Sequence, residues 1–169
     1  GVDVGTGSGC LAVTLALELE GSQFDAIDLA ADALGWAKRN RDTHGAQVTL
    51  HEGDGLEELE RLVGAHGAYD LIVSNPPYVE PTERELLSPE VRDHEPALAL
   101  YAPPGDPDYW VRGLVERAQR GLKPGGLLLV ELGHLQASRA HAAAAASGAA
   151  SVEVLKDLAG VPRVLALKR

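Results

Sequence analysis

The chain has 169 residues, a hydrophobic fraction of 45%, a charged fraction of 24% and a formal net charge of −10. Those values suit a single globular domain with a real core and exclude disordered and collagen-like chains. No apolar run approaches the roughly 20 residues of a membrane span, so no membrane association is expected, and 25 Asp and Glu against 15 Lys and Arg disfavour a broad nucleic-acid surface.

In chain order, Gly1–Val4 reads as the end of a strand and Cys10–Glu20 as a helix with Leu11, Leu15 and Leu19 along one side. Phe24–Asp28 is a short strand. Ala31–Thr43 is a helix, with Asp32 near its start and Gly45 just past its end. Val48–Glu52 is a strand, Leu56–Val63 a short helix ended by Gly64, and Tyr69–Ser74 a strand. The proline-rich stretch Asn75–Asp106 excludes a long helix, and connections of that length inside a compact domain are usually functional or mobile. Tyr109–Leu122 reads as a helix, Lys123–Gly126 as a turn, Leu127–Leu132 as an apolar strand and Leu135–Ser147 as an alanine-rich helix. Ser151–Leu155 and Val164–Leu167 are two closing strands. The alternation predicts an α/β fold with a doubly wound, mostly parallel seven-stranded sheet. Val161-Pro162-Arg163 is too short for a crossover, so the last strand is expected to be antiparallel.

The sole cysteine, Cys10, cannot form an internal disulfide, which favours a reducing, cytoplasmic setting. No His or Cys group has metal-ligand spacing, so no metal is expected. A chain without methionine that starts at Gly1 inside a strand reads as part of a longer protein.

Three strand ends carry the chemistry. Asp3-Val4-Gly5-Thr6-Gly7-Ser8-Gly9 joins the first strand to the first helix, and its glycines permit a sharp turn and close ligand approach. Its G-x-G-x-G spacing differs from the dinucleotide fingerprint. Asp3 beside it suits a ligand with positive charge better than a pyrophosphate, which disfavours a nicotinamide dehydrogenase. Asp28, ending the second strand, is placed to accept from both ribose hydroxyls. Asp54, after the third, can accept from an adenine amino group. Together they describe an adenosine site; the competing reading is a tight turn with surface acids. Ser74-Asn75-Pro76-Pro77-Tyr78 follows the fourth strand. Its prolines fix the backbone and remove donors. The Asn75 carboxamide and the Pro76 carbonyl can then hold a substrate NH2 group by its two hydrogens, with Tyr78 as a flat wall.

These residues resemble a class I S-adenosylmethionine-dependent methyltransferase, and more narrowly the N5-glutamine methyltransferase of peptide-chain release factors, the PrmC/HemK family. Pro89–Leu100, Glu131-Leu132-Gly133-His134-Leu135-Gln136 and Asp157–Arg163 extend the resemblance over essentially the whole chain. It implies that residues 1–169 are an S-adenosylmethionine-binding catalytic domain, and that the start of the first strand and a helical N-terminal substrate-binding domain are missing. The implied cofactor contacts are Asp3, Gly5, Thr6, Gly7, Ser8, Gly9, Asp28, Asp54, Gly55 and Asn75. Asn75, Pro76, Pro77 and Tyr78 are the implied substrate contacts, with Asn75, Pro76 and Tyr78 catalytic. The implied reaction moves a methyl group to the amide nitrogen of the glutamine in the release factor's Gly-Gly-Gln motif.

Gly55 departs from the pattern: some members carry there an aromatic that can stack on adenine, so the wall must come from elsewhere. Of the remaining residues, Cys10 reads as buried, Arg92 and Glu95 as an ion pair, Glu131 as a backbone-satisfying strand end, and Trp36 and Trp110 as packing anchors. Two other functions stay open. An N6-adenine or other exocyclic-amine nucleic-acid methyltransferase would use the same Asn-Pro-Pro-Tyr chemistry on a flipped base, although the acidic charge and the lack of a DNA-reading insert argue against DNA. A non-catalytic adenosine-binding module would not need Asn75–Tyr78 intact.

Overall fold

The computed structural model describes residues 1–169. Its strands are β1 (Val2–Val4), β2 (Phe24–Asp28), β3 (Val48–Glu52), β4 (Tyr69–Ser74), β5 (Leu122–Glu131), β6 (Ser151–Lys156) and β7 (Pro162–Lys168). They form one sheet in the order β3-β2-β1-β4-β5-β7-β6. Pairings from β3 through β5 are parallel, whereas β7 runs antiparallel to both β5 and β6. The doubly wound sheet and the antiparallel last strand are as the sequence predicts. No helix of the chain is long and apolar enough to cross a membrane.

The helices are α1 (Cys10–Glu18), α2 (Ala31–His44), α3 (Gly55–His66), α4 (Pro89–His94), α5 (Ala97–Leu100), α6 (Tyr109–Gly121) and α7 (Ala137–Ala145), with a 3₁₀ turn at Pro81–Leu86. Helices α3, α6 and α7 cover one sheet face. Their apolar residues, among them Leu56, Leu59, Leu62, Leu114 and Ala144, merge with Val2, Ile72, Leu128 and Leu165 into a core cluster of 20 buried residues. On the other face α1 contributes Ala12 and Val13 to a cluster of six that includes Phe24 and Val48, and α2 packs beside it on α1, β2 and β3. Val2, Asp3 and Val4 are all buried, as expected of a parallel strand covered on both sides.

Several boundaries differ from the sequence reading. Helix α1 stops at Glu18 and α7 covers only Ala137–Ala145, whereas α3 starts earlier, because Asp54 caps it, and runs on to His66, where Gly67 ends it. Lys123–Gly126 is not a free turn: it belongs to β5, and the register with β4 slips between Tyr69 and Leu71, so the glycines are absorbed as an irregularity. Within Asn75–Asp106 only short helices form, each opened by proline or just after it.

Candidate active site

The order β3-β2-β1-β4 reverses the direction of chain progression between β1 and β4, which opens a crevice at the carboxyl ends of those strands. The buried Ser74 hydroxyl donates to the Val4 carbonyl at 2.6 Å and ties the two strand ends together. Every loop that the sequence singles out leaves the sheet at this edge.

The glycine loop is held from below. Gly5 and Thr6 both donate backbone N–H groups to the Ile27 carbonyl, at 2.9 and 2.8 Å. Gly5, Gly7 and Gly9 take φ of 74°, 58° and 80°, a left-handed region that side chains disfavour. Asp3 lies beneath the loop and is 1% exposed. Its Oδ2 accepts from the Thr6 hydroxyl at 2.7 Å and from Ala12 N–H at 3.2 Å, while its buried Oδ1 has no partner. Burial pushes its carboxyl up to about 6, against the opposing hydrogen bonds from Thr6 and Ala12. Asp3 thus shapes the loop from inside and does not line the crevice. Thr6 is likewise buried, Gly9 caps α1 close to Ala37, and Ser8 offers its carbonyl to the Asn40 amide at 2.9 Å.

Gly5 and Gly7 do line the crevice, together with Asp28, Asp54, Gly55, Asn75, Pro76 and Pro77, around a cavity of about 530 Å³. Asp28 accepts Gly7 N–H at 2.7 Å and Ala30 N–H at 2.9 Å, one on each oxygen. Each oxygen keeps a lone pair for a ligand. Asp54 caps α3 through Oδ1, which accepts from Leu56 and Glu57 N–H at 3.0 and 3.2 Å. Its Oδ2 makes no hydrogen bond within the chain.

Asn75 is exposed and Pro76 buried. Neither the Asn75 carboxamide nor the Pro76 carbonyl makes a hydrogen bond within the chain. Opposite them the long connection returns: Val79 donates to Leu100 O at 2.9 Å, and Ala102 donates to Val79 O at 3.0 Å. The returning segment contributes Pro96, Leu98, Tyr101 and Pro104 to the cavity wall. The stretch is therefore part of the site's enclosure.

Tyr78 faces a second cavity, of about 610 Å³, with Glu80, Leu86, Gly133, Leu135 and Arg163 among its lining. Its hydroxyl is 3.5 Å from Glu131 Oε1. Burial first, then the Glu131 carboxylate, raises the phenol above its ordinary value, so it stays protonated. Asn75-Pro76-Pro77-Tyr78 thus separates two cavities, with Asn75 and both prolines on one and Tyr78 on the other.

Other expectations are corrected. Cys10 is exposed, because it opens α1 on the outer side. Arg92 pairs with Asp93, at 2.8 Å, and approaches Glu85, at 3.7 Å; Glu95 is not its partner. Glu131 reaches Tyr78 instead of serving only backbone. Trp36 is 56% exposed beneath the Arg39 guanidinium. Trp110 does pack against the larger core, as expected of an anchor, but it also lines the first cavity. Gln136 is 3% exposed: its Oε1 accepts Gly133 N–H at 2.8 Å, and its Nε2 donates to the Pro107 carbonyl at 2.7 Å. Sequence reasoning missed both roles. A glycine where a wall was needed was the available signal for Trp110; Gln136 gave none beyond its motif.

A sheet with this strand order, a glycine loop after β1 and acids after β2 and β3 define the Rossmann-like fold of class I methyltransferases. Residues 1–90 match the family model of the methyltransferase small domain, and the chain belongs to that family. Among its relatives, the release factor glutamine methyltransferase of Streptomyces coelicolor is 45% identical over 77% of this chain and 44% of the relative. The enzyme of the same name from Geobacter sulfurreducens is 40% identical over 97% of this chain and 56% of its own length. The chain thus spans about half the length of these curated relatives. A crystal structure of a release-factor-specific protein-(glutamine-N5) methyltransferase from Alicyclobacillus acidocaldarius superposes with a TM-score of 0.61 at 28% identity, covering 99% of this chain and 78% of that one.

Proposed function

We propose that the chain is the catalytic domain of a methyltransferase that uses S-adenosylmethionine to methylate the N5 amide nitrogen of the glutamine in the Gly-Gly-Gln motif of peptide-chain release factors. The observation that carries this reading is the pair of unengaged acceptors, the Asn75 carboxamide oxygen and the Pro76 carbonyl, on a proline-stiffened turn between two cavities. The names of the relatives support the choice of acceptor protein.

The first cavity fits the cofactor. Asp28 keeps acceptor capacity for a ribose diol, Asp54 Oδ2 is free for an adenine amino group, and Leu29 and Ala33 supply apolar surface. Asp3, buried under the loop with one oxygen unpartnered, contributes negative potential suited to a cationic ligand. When bound, S-adenosylmethionine supplies an electrophilic methyl on a sulfonium sulfur. Gly5 and Gly7 allow the ligand to approach the loop backbone. Gly9, Thr6 and Ser8 hold the shape of that loop.

An amide nitrogen is a poor nucleophile because its lone pair is delocalised into the carbonyl. Asn75 and Pro76 each accept one N–H of the incoming amide. This orients the nitrogen, favours its pyramidal form and stabilises positive charge developing on it. Asn75 is suited to the task because the incoming group is neutral. Pro76 and Pro77 have no N–H to compete for those acceptors. Tyr78, kept protonated, walls the entry from the second cavity, through which the protein segment arrives.

Transfer of labelled methyl to a release factor tests the reading. Label is expected on the wild-type factor and absent when the glutamine of its Gly-Gly-Gln motif is replaced. Label retained in that control, or preferential labelling of adenine in duplex DNA, rejects it.

A further inference from the structure

The space beside Asp54 is filled from an unexpected direction. Gly55 opens α3, and a Cβ placed on it would lie 2.8 Å from Val4 Cγ1, and 3.2 and 3.5 Å from Cζ3 and Cη2 of Trp110. The six-membered ring of the Trp110 indole therefore occupies the volume that a side chain at 55 would need. We propose that Trp110, delivered from α6, is the aromatic wall on which the adenine of the cofactor stacks, with Asp54 at its side. The inference rests on the proposed cofactor and is independent of the acceptor protein.

Trp110 is half-buried, packs on the large core cluster and still lines the cavity that holds Gly5, Asp28 and Asp54. Its indole N–H makes no hydrogen bond within the chain, whereas buried tryptophans usually find a partner for that group. The ring is also fixed in place. Tyr109 packs edge-on against it, with centroids 5.6 Å apart and planes at 90°. Asp108, at the start of α6, is gripped from α7 by Arg139 and from just before α7 by Gln136 Nε2, the latter at 3.2 Å. A wall already held in position costs little ordering on binding. Two other aromatic residues line the cavity, but Tyr109, perpendicular to the indole, lies beside Trp110 and not against Gly55. Tyr101 belongs to the segment bridged to Val79, at the Asn75 end of the cavity, and Trp36 does not line the cavity at all.

Calorimetric titration with adenosine and with S-adenosylhomocysteine, neither of which requires turnover, tests the assignment. Trp110→Ala and Trp110→Leu are expected to weaken both ligands about tenfold or more, the range of one base–aromatic stack, and Trp110→Phe to restore most of the loss. Trp36→Phe is expected to bind as wild type, and it leaves Trp110 as the sole tryptophan, whose emission saturating adenosine should quench. Should Trp110→Ala fail to fold, Trp110→Leu and the fluorescence of Trp36→Phe decide. Wild-type adenosine affinity in Trp110→Leu, unchanged emission, or loss of adenosine binding in Tyr101→Ala but not in Trp110→Leu overturns the proposal. Absence of S-adenosylhomocysteine binding by the wild type overturns it together with the cofactor reading. Failure to methylate a release factor leaves these measurements untouched, so the two readings fail separately.

Discussion

Asn75 and Asp3 make opposite demands on their surroundings. Asn75 is exposed at the cavity with its carboxamide unengaged. Asn75→Ala therefore removes an acceptor without leaving a buried partner unsatisfied, and stability is expected to stay within about 0.5 kcal/mol. Methyl transfer should fall roughly 10²–10³-fold, the loss typical of deleting one charge-stabilising hydrogen-bond partner. Cofactor affinity should change little. Single-turnover transfer together with calorimetric cofactor titration separates these effects, and wild-type transfer would remove Asn75 from the chemistry. Asp3 is fully enclosed, and its carboxyl is raised to about 6 from an ordinary 3.8. The folded state thus binds the proton more tightly than the unfolded chain. The stability it contributes is fully present below about pH 4 and is lost as pH rises through about 6. A shift of about two units corresponds to about 3 kcal/mol. Urea unfolding of wild type and Asp3→Asn at pH 4 and pH 7 should show a stability difference that moves in favour of Asn as pH rises. A pH-independent difference would show that Asp3 does not titrate in this window.

Among the elements, α6 links distant parts of the chain to the site. Its N-terminal end is pinned through the preceding Pro107 and Asp108 by Gln136 and Arg139, and it carries Trp110 against the first turn of α3. Gln136→Ala would leave Gly133 N–H and the Pro107 carbonyl without their partner. It should cost about 1–3 kcal/mol in urea unfolding and loosen adenosine binding several-fold, whereas a stability loss with unchanged adenosine affinity would confine Gln136 to the fold. Gly55→Ala addresses the same contact from α3. Its new Cβ would press on Val4 Cγ1, 2.8 Å away, and displace either the strand side chain or the indole. A destabilisation of about 1–3 kcal/mol is expected from thermal melts. Near-wild-type stability would mean that α3 shifts freely. Much of this element layer was legible: the glycine loop and the proline hook declare themselves through residues with few alternative uses, whereas the capping of α3 by Asp54 emerged only in the structure. The Lys123–Gly126 stretch was not, because glycine and proline signal a turn locally while pairing of Leu122 and Leu127 with β4 on either side carries the strand past them. Helix ends at Glu18 and Ala145 were equally hidden, since nothing local distinguishes the last turn from the loop after it.

At the scale of the molecule, the sheet divides the interior into a large cluster under α3, α6 and α7 and a small one under α1 and α2. The site hangs on the larger, because Val4, Leu56 and Ile72 belong to it and lie just behind the strand ends. Strand β5 shows the division within a few residues: Leu128 is fully buried, and Leu127 is 40% exposed. Leu128→Ala should therefore cost about 2–5 kcal/mol and Leu127→Ala well under half as much, measured by chemical denaturation. Equal losses would mean that both faces of β5 are packed alike.

The order of strands and helices along the chain, the acids that follow the strands and the Asn-Pro-Pro-Tyr turn were determined by the sequence alone, whereas the crevice between β1 and β4 follows from the order of the strands in the sheet. The features read from sequence rest on local rules: apolar periodicity, glycine conformations closed to other residues, and proline's fixed φ. Tertiary structure decided which of those residues reach the cavity. It buried Asp3 and Thr6 under the loop, turned Asn75 and Tyr78 toward different cavities and brought Trp110 and Gln136 into the site from the far half of the chain. Those outcomes depend on packing between residues such as Gly55 and Trp110, whose contact is set by how α3 and α6 lie on the same sheet face. No spacing along the chain encodes that distance.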